Sequence, residues 1–194
     1  MKKRICCFIL AFILIAICQA GCGKKDNGMK KVVLNEVAHS IFYAPQYVAI
    51  EMGYFKDAGI DLVLETGFGA DKTMTALISG NADIGFMGSE STIYAYAEGS
   101  KDYAVNFAGL TQRAGNFLVA REKIDNFSWD MVKGKNVLGG RKGGMPQMVL
   151  EYILKANNID PASDLSIDQS VDFGLTAGAF SGNTEYDFTV EFEP

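Results

Sequence analysis

Residues 32–99 read VVLNEVAHSIFYAPQYVAIEMGYFKDAGIDLVLETGFGADKTMTALISGNADIGFMGSESTIYAYAEG. The stretch repeats one unit three times: a short apolar strand, a small or polar corner, then an amphipathic helix. Strands are expected at Val32–Val37, Ile60–Leu64 and Ile84–Met87. Helices are expected from Pro45, where a missing N–H costs nothing, over Asp71–Ser79 with Asp71 suited to a helix start, and from a Ser89 cap through Glu98. The first helix is expected to turn Tyr47, Val48 and Ile50 inward. Such alternation specifies a parallel sheet whose strand C-termini open toward one edge. Ligands in open α/β sheets bind at that edge, against helix N-termini.

The pattern restarts downstream. A strand is expected over Tyr103–Leu110, a crossover near residues 110–116, and a strand over Phe117–Ala120. A short helix and turn at Trp129–Lys135 leads to a strand at Asn136–Leu138 and the glycine corner GGRKGGMP at 139–146. A helix at Gln147–Asn157, a weak strand at Ser166–Asp168, a helix at Val171–Phe180 and an alternating segment at Tyr186–Phe192 complete the reading. The chain stops at Glu193-Pro194, and a strand ending on Pro with no partner after it reads as the end of a fragment. The expected organisation is one incomplete α/β lobe over 32–112 and a second over 113–194.

The N-terminus reads as an export signal over residues 1–21. Lys2, Lys3 and Arg4 precede a 14-residue apolar run, Ile5–Cys18. That run is short for a membrane span of about 20 residues but suits a signal peptide. Gln19-Ala20-Gly21-Cys22 and a polar tether over 22–31 follow, and resemble a bacterial lipoprotein processing site with Cys22 as the lipidated residue. All four cysteines, at positions 6, 7, 18 and 22, lie at or before that point. The exported body is therefore expected to hold no disulfide, thiolate metal site or Cys nucleophile. His39 is the single histidine, and no phosphate loop, His pair or Gly-x-Ser-x-Gly is present, which argues against zinc or nucleophilic chemistry. No metal and no cofactor is expected. The net charge of −5 and the scattered basic residues argue against a nucleic-acid partner.

The blocks HSIFYAPQYVAIEMGYFKDAGIDLVLE, GADKTMTALISGNADIGFMG and KGKNVLGGRKGGMPQMVLEYILKANNID resemble extracytoplasmic solute-binding proteins of ABC importers. The resemblance is to the nitrate/sulfonate/taurine-type family, which includes binders of thiamine-pyrimidine precursors, and runs from about residue 32 to 194. It implies the two-lobed type II periplasmic-binding-protein fold, closing on a small-molecule ligand. It also implies ABC permease subunits as partners, a monomer, and an extracytoplasmic site anchored to the membrane through a lipid on Cys22. Family members continue beyond this length to complete the first lobe, so the resemblance implies a chain truncated at its C-terminus. A truncated remnant or sensor is the second reading. A pyrimidine-precursor synthase is the third, opposed by Tyr43 at the position of that enzyme's consumed His and by the missing Cys-rich motif.

Candidate ligand-binding residues follow from the corners. His39 and Ser40 lie after the first strand, as ligand contacts or as a polar surface residue and a helix cap. Tyr43 stands beside them, able to stack on a planar ligand or to join the core. Gly69-Ala70 and Gly88-Ser89 offer backbone N–H groups at helix starts, or simply make tight turns. Across the crossover, Arg113 could pair with an anion, and Gly143-Gly144-Met145 would face it. Arg141-Lys142 reads as a solvated loop pair. The expected ligand is a small organic anion or a planar heterocycle (sulfonate, nitrate or pyrimidine-like).

Overall fold

The computed structural model describes residues 28–113, 115–172 and 174–192. The expected export signal and Cys22 lie outside the described residues.

The first sheet has three parallel strands in the order β2-β1-β3: β1 Lys30–Glu36, β2 Ile60–Thr66 and β3 Ile84–Phe86. The register sets Leu34 beside Leu64 on one side and Ile84 on the other. β1 becomes buried only toward its C-terminal end, where Leu34, Asn35 and Glu36 are all enclosed. Its crossovers carry helices α1 (Ala44–Glu51), α2 (Tyr54–Asp57) and α3 (Ala70–Ile78), while α4 (Glu90–Ala97) follows β3. Pro45 sits in the first turn of α1, and a 3-10 turn at Ile41–Tyr43 precedes it. The three repeats thus take the order the sequence specifies. α1 differs from the expectation in its facing: Val48 is 55% exposed and Gln46 is the buried residue, because the buried carboxylate of Glu36 recruits the Gln46 amide.

Gly53 joins α1 to α2 at φ 78°, in the left-handed region that glycine enters without a Cβ penalty. A side chain there would meet nothing within 4 Å, so backbone conformation alone decides the outcome. Gly53→Ala should cost about 1 kcal/mol in urea unfolding; an unchanged midpoint would show that the turn relaxes freely.

The second sheet is mixed, in the order β4-β7-β5-β6. Its strands are β4 Asn116–Ala120, β5 Asn136–Leu138, β6 Ser166–Asp168 and β7 Phe188–Phe192. β7 runs antiparallel to β4 and parallel to β5. The final alternating segment is thus a strand, as expected, and lies inside a sheet between two strands that precede it in the chain. α5 (Met145–Ala156) packs Leu150 and Leu154 against Val137, Phe188 and Val190, and Val132, Ile159 and Leu165 complete this main core. The core around the first sheet is smaller, centred on Val37, Ala38 and Ala70.

Three other elements differ from the sequence reading. No strand forms over Tyr103–Leu110; with no strand beside it, its alternating Val105 and Phe107 are 76% and 77% exposed. The turn at Trp129–Val132 is 3-10. The last helix, α6, covers Thr176–Gly182, starting after Gly174 at φ 85°.

Candidate functional site: a cavity between the two sheets

The C-terminal ends of β1 and β3 and the β2–α3 corner face residues 111–113 and 115–116 of the crossover and the 139–146 glycine corner. Between them lies a cavity of about 240 Å³. Tyr43, Gly69, Ala70 and Gly88 line it from the first sheet, and Arg113, Gly144 and Met145 from the second. Seven of the sequence-derived candidates are therefore brought to one space. The other four lie elsewhere. His39 is 69% exposed at its side chain, donates from Nδ1 to Glu36 Oε1 (3.0 Å) and sets its ring 4.4 Å from that of Tyr47. Ser40 accepts from the Phe42 N–H at 3.2 Å, so its hydroxyl serves the 3-10 turn. Gly143 donates its N–H to the Gln147 side-chain oxygen and is absent from the wall. Ser89 faces a wider hollow of about 510 Å³ against residues 102–111. It occupies the cap position of α4 without a side-chain capping bond.

Glu36 organises the first wall. It is fully enclosed, and its carboxylate accepts from Gln46 Nε2 (2.8 Å), the Tyr47 hydroxyl (2.9 Å) and Thr66 Oγ1 (3.3 Å), besides meeting His39. These bonds tie the end of β1 to α1 and β2, which fixes the turn that carries Phe42 and Tyr43. The Tyr43 ring lies 4.4 Å from Phe86. Burial, followed by the negative charges of Glu36 and Glu90, pushes the Tyr43 phenol up to about 12. It stays protonated at neutral pH and can donate to a ligand. Gly115 is required where it stands, since a Cβ would come within 2.6 Å of the Phe42 ring.

Arg141 is not a solvated loop residue. It reaches Asp71 at the start of α3 with Nε to Oδ1 at 3.1 Å and Nη2 to Oδ2 at 2.9 Å, and its Nη1 pairs with Asp172. Lys72 meets the same Asp172 at 3.6 Å. This bidentate clasp spans 70 residues of sequence and fastens the second sheet's corner to the first sheet's helix across one rim. Gly69 makes room for it, because a Cβ would crowd both Asp71 Oδ1 and Arg141 Nε.

The Arg141 hydrogen bonds hold the Asp71 carboxyl below its ordinary 3.8. A depressed folded-state value means the clasp contributes fully above 3.8 and is lost as pH falls through the lower value. Asp71→Asn should therefore weaken the protein at neutral pH but flatten its acid-unfolding limb. An acid titration followed by Trp129 fluorescence checks this; a wild-type limb superposing on the variant's would contradict the clasp.

Glu90 and Asn116 were not singled out in the sequence, yet both line the cavity. Glu90 is 2% exposed. Its Oε1 and Oε2 and the Asn116 Oδ1 are the buried side-chain oxygens left without a hydrogen-bond partner among the described residues. Burial raises the Glu90 carboxyl, against the N–H groups of Glu90 and Met145 that face it without closing a bond. Gly88 admits the carboxyl, since a Cβ there would collide with it. Among the described residues no cluster of His, Cys, Asp and Glu could hold a metal ion, and no helix is long and apolar enough to cross a membrane.

Two α/β units, one built on a parallel sheet and one on a mixed sheet, flank a cavity as in the fold of periplasmic binding proteins. The alkanesulfonate-binding protein SsuA of Xanthomonas axonopodis pv. citri, solved bound to MOPS, superposes with a TM-score of 0.62 at 17% identity, over 87% of this chain and 55% of that one. The periplasmic aliphatic sulphonate binding protein SsuA of Escherichia coli gives 0.54 at 16% identity, over 85% and 55%. The family described as NMT1/THI5 like matches residues 41–180, and the chain belongs to it. YtlA of Bacillus subtilis (strain 168), named as a binding protein, is 49% identical over all 194 residues. The chain spans 57% of that relative's length.

Proposed function

We propose that the chain is an extracytoplasmic solute receptor that captures a small organic anion or planar heterocycle and delivers it to an ABC permease. In this reading residues 1–21 direct export, Cys22 carries the lipid, and 22–31 form the tether. The segments 32–112 and 113–194 act as two lobes that close on the solute, and the receptor works as a monomer without catalysing a reaction. Tyr43, Gly69, Ala70, Gly88, Arg113, Gly144 and Met145 contact the solute.

The observation that carries the reading is the cavity itself: strand ends and glycine corners from both sheets meet there, around an aromatic pair and unsatisfied polar groups. Sites of this kind, mostly apolar with a few converging polar atoms, suit small ligands. The family and the names of the similar proteins support binding over catalysis. A thermal-shift panel of taurine, alkylsulfonates, nitrate, hydroxymethylpyrimidine and riboflavin tests it. A solute present at about a hundred times its Kd should stabilise the native state by about 2.7 kcal/mol and raise the melting temperature accordingly. No shift with any of them would count against the reading. Cys22→Ala should also release the protein from the membrane fraction and abolish fatty-acid labelling; retention with label would refute the anchor.

A further inference from the structure

We propose that the Glu90 carboxylate and the Asn116 amide oxygen together select solutes presenting N–H donors. The inference deepens the solute-receptor reading and rests on it.

A side-chain oxygen buried without a partner costs roughly 1–3 kcal/mol, more when charged. The described residues leave three such oxygens, and all three belong to two residues that line this one cavity. Glu90 sits at the start of α4 and Asn116 opens β4, so one acceptor comes from each side. Among the described residues no side-chain donor bonds these oxygens, and Gly88 keeps the space beside the carboxyl clear. An amino group, a protonated amine or a ring N–H would satisfy these oxygens. A solute offering only acceptors would leave them desolvated and set its own lone pairs against them. The cationic side chains on the wall, Arg113, Arg141 and Lys142, come from the crossover and the glycine corner. A solute bearing both an N–H group and an anionic group could therefore satisfy both. Sites built to hydrogen-bond a donor reject the analogue lacking it far more strongly than apolar pockets reject a missing methylene.

Two matched pairs test this in titration calorimetry, using the full chain purified in mild detergent: 4-aminopyrimidine against 4-methoxypyrimidine, and taurine against ethanesulfonate. Within whichever pair binds, the N–H member should bind at least about tenfold tighter. In Glu90→Gln, which keeps the side chain's size, that ratio should fall below about threefold. Equal binding within the pair, or an unchanged ratio in the variant, would overturn the subsite and leave the receptor reading intact. Binding of none of the four at about 10 mM would overturn the subsite, and the receptor reading would fall with it only if the whole thermal-shift panel is also silent. The wild-type comparison needs no variant, so a folding defect in Glu90→Gln cannot rescue the proposal.

Discussion

Glu36→Ala should lower the unfolding free energy by about 3 kcal/mol, among the largest single-residue losses expected in this molecule. The carboxylate is fully enclosed and receives Gln46, Tyr47 and Thr66. Removing it leaves the buried Gln46 amide and the half-buried Tyr47 and Thr66 hydroxyls without this acceptor, which costs more than the hydrogen bonds themselves contribute. Glu36→Gln restores one acceptor oxygen and should recover part of the loss. Because these bonds hold the end of β1 to α1, the Ala variant should also loosen the turn bearing Tyr43 and weaken solute binding. Urea unfolding gives the first quantity and calorimetry the second. A loss below about 1 kcal/mol would mean that water replaces the carboxylate without penalty.

Arg141→Ala should reduce affinity for any solute identified in the thermal-shift panel by about tenfold to a hundredfold, mainly through faster dissociation. The clasp to Asp71 and Asp172 joins the two walls of the cavity at its rim. Breaking it frees one wall from the other, and the fraction of molecules in the binding-competent arrangement falls. Arg141→Lys supplies the charge without the fork and should recover only part of the affinity. Unchanged affinity in Arg141→Ala would show that the walls are held together without this contact.

The first half of the fold was legible because its signals are local. Glycine and proline punctuate each unit, and apolar spacing switches from strand to helix at every corner, so the three parallel strands could be placed within a few residues. The second sheet was harder, because β7 enters between β4 and β5 and nothing near Phe188 announces those partners. Tyr103–Leu110 carries a strand's alternation but has no neighbouring strand to pair with, and the pattern alone could not reveal that. The site divides in the same way. Tyr43 and the glycines at 69, 88 and 144 follow from the rule that ligands gather at strand C-termini. Arg141 read as solvated because Asp71 lies 70 positions away. Glu90 drew notice only as the last residue of the corner it shares with Gly88 and Ser89, because only tertiary packing strips it of water and partners. A Glu directly after Gly-Ser at a cleft-facing helix start was the available signal.

Where a solute touches the chain decides whether the cavity is its site. Backbone amide chemical shifts, recorded on the isotope-labelled protein titrated with the panel compound that most raises its melting temperature, report this residue by residue. The expected result is a set of perturbations at Tyr43, Met87, Gly88, Arg113 and Met145, with Glu151, Asp160 and Leu165 of the separate hollow unmoved. Perturbations centred on residues 102–111 and Thr92, or on Glu151 and Asp160, with the cavity silent, would contradict it.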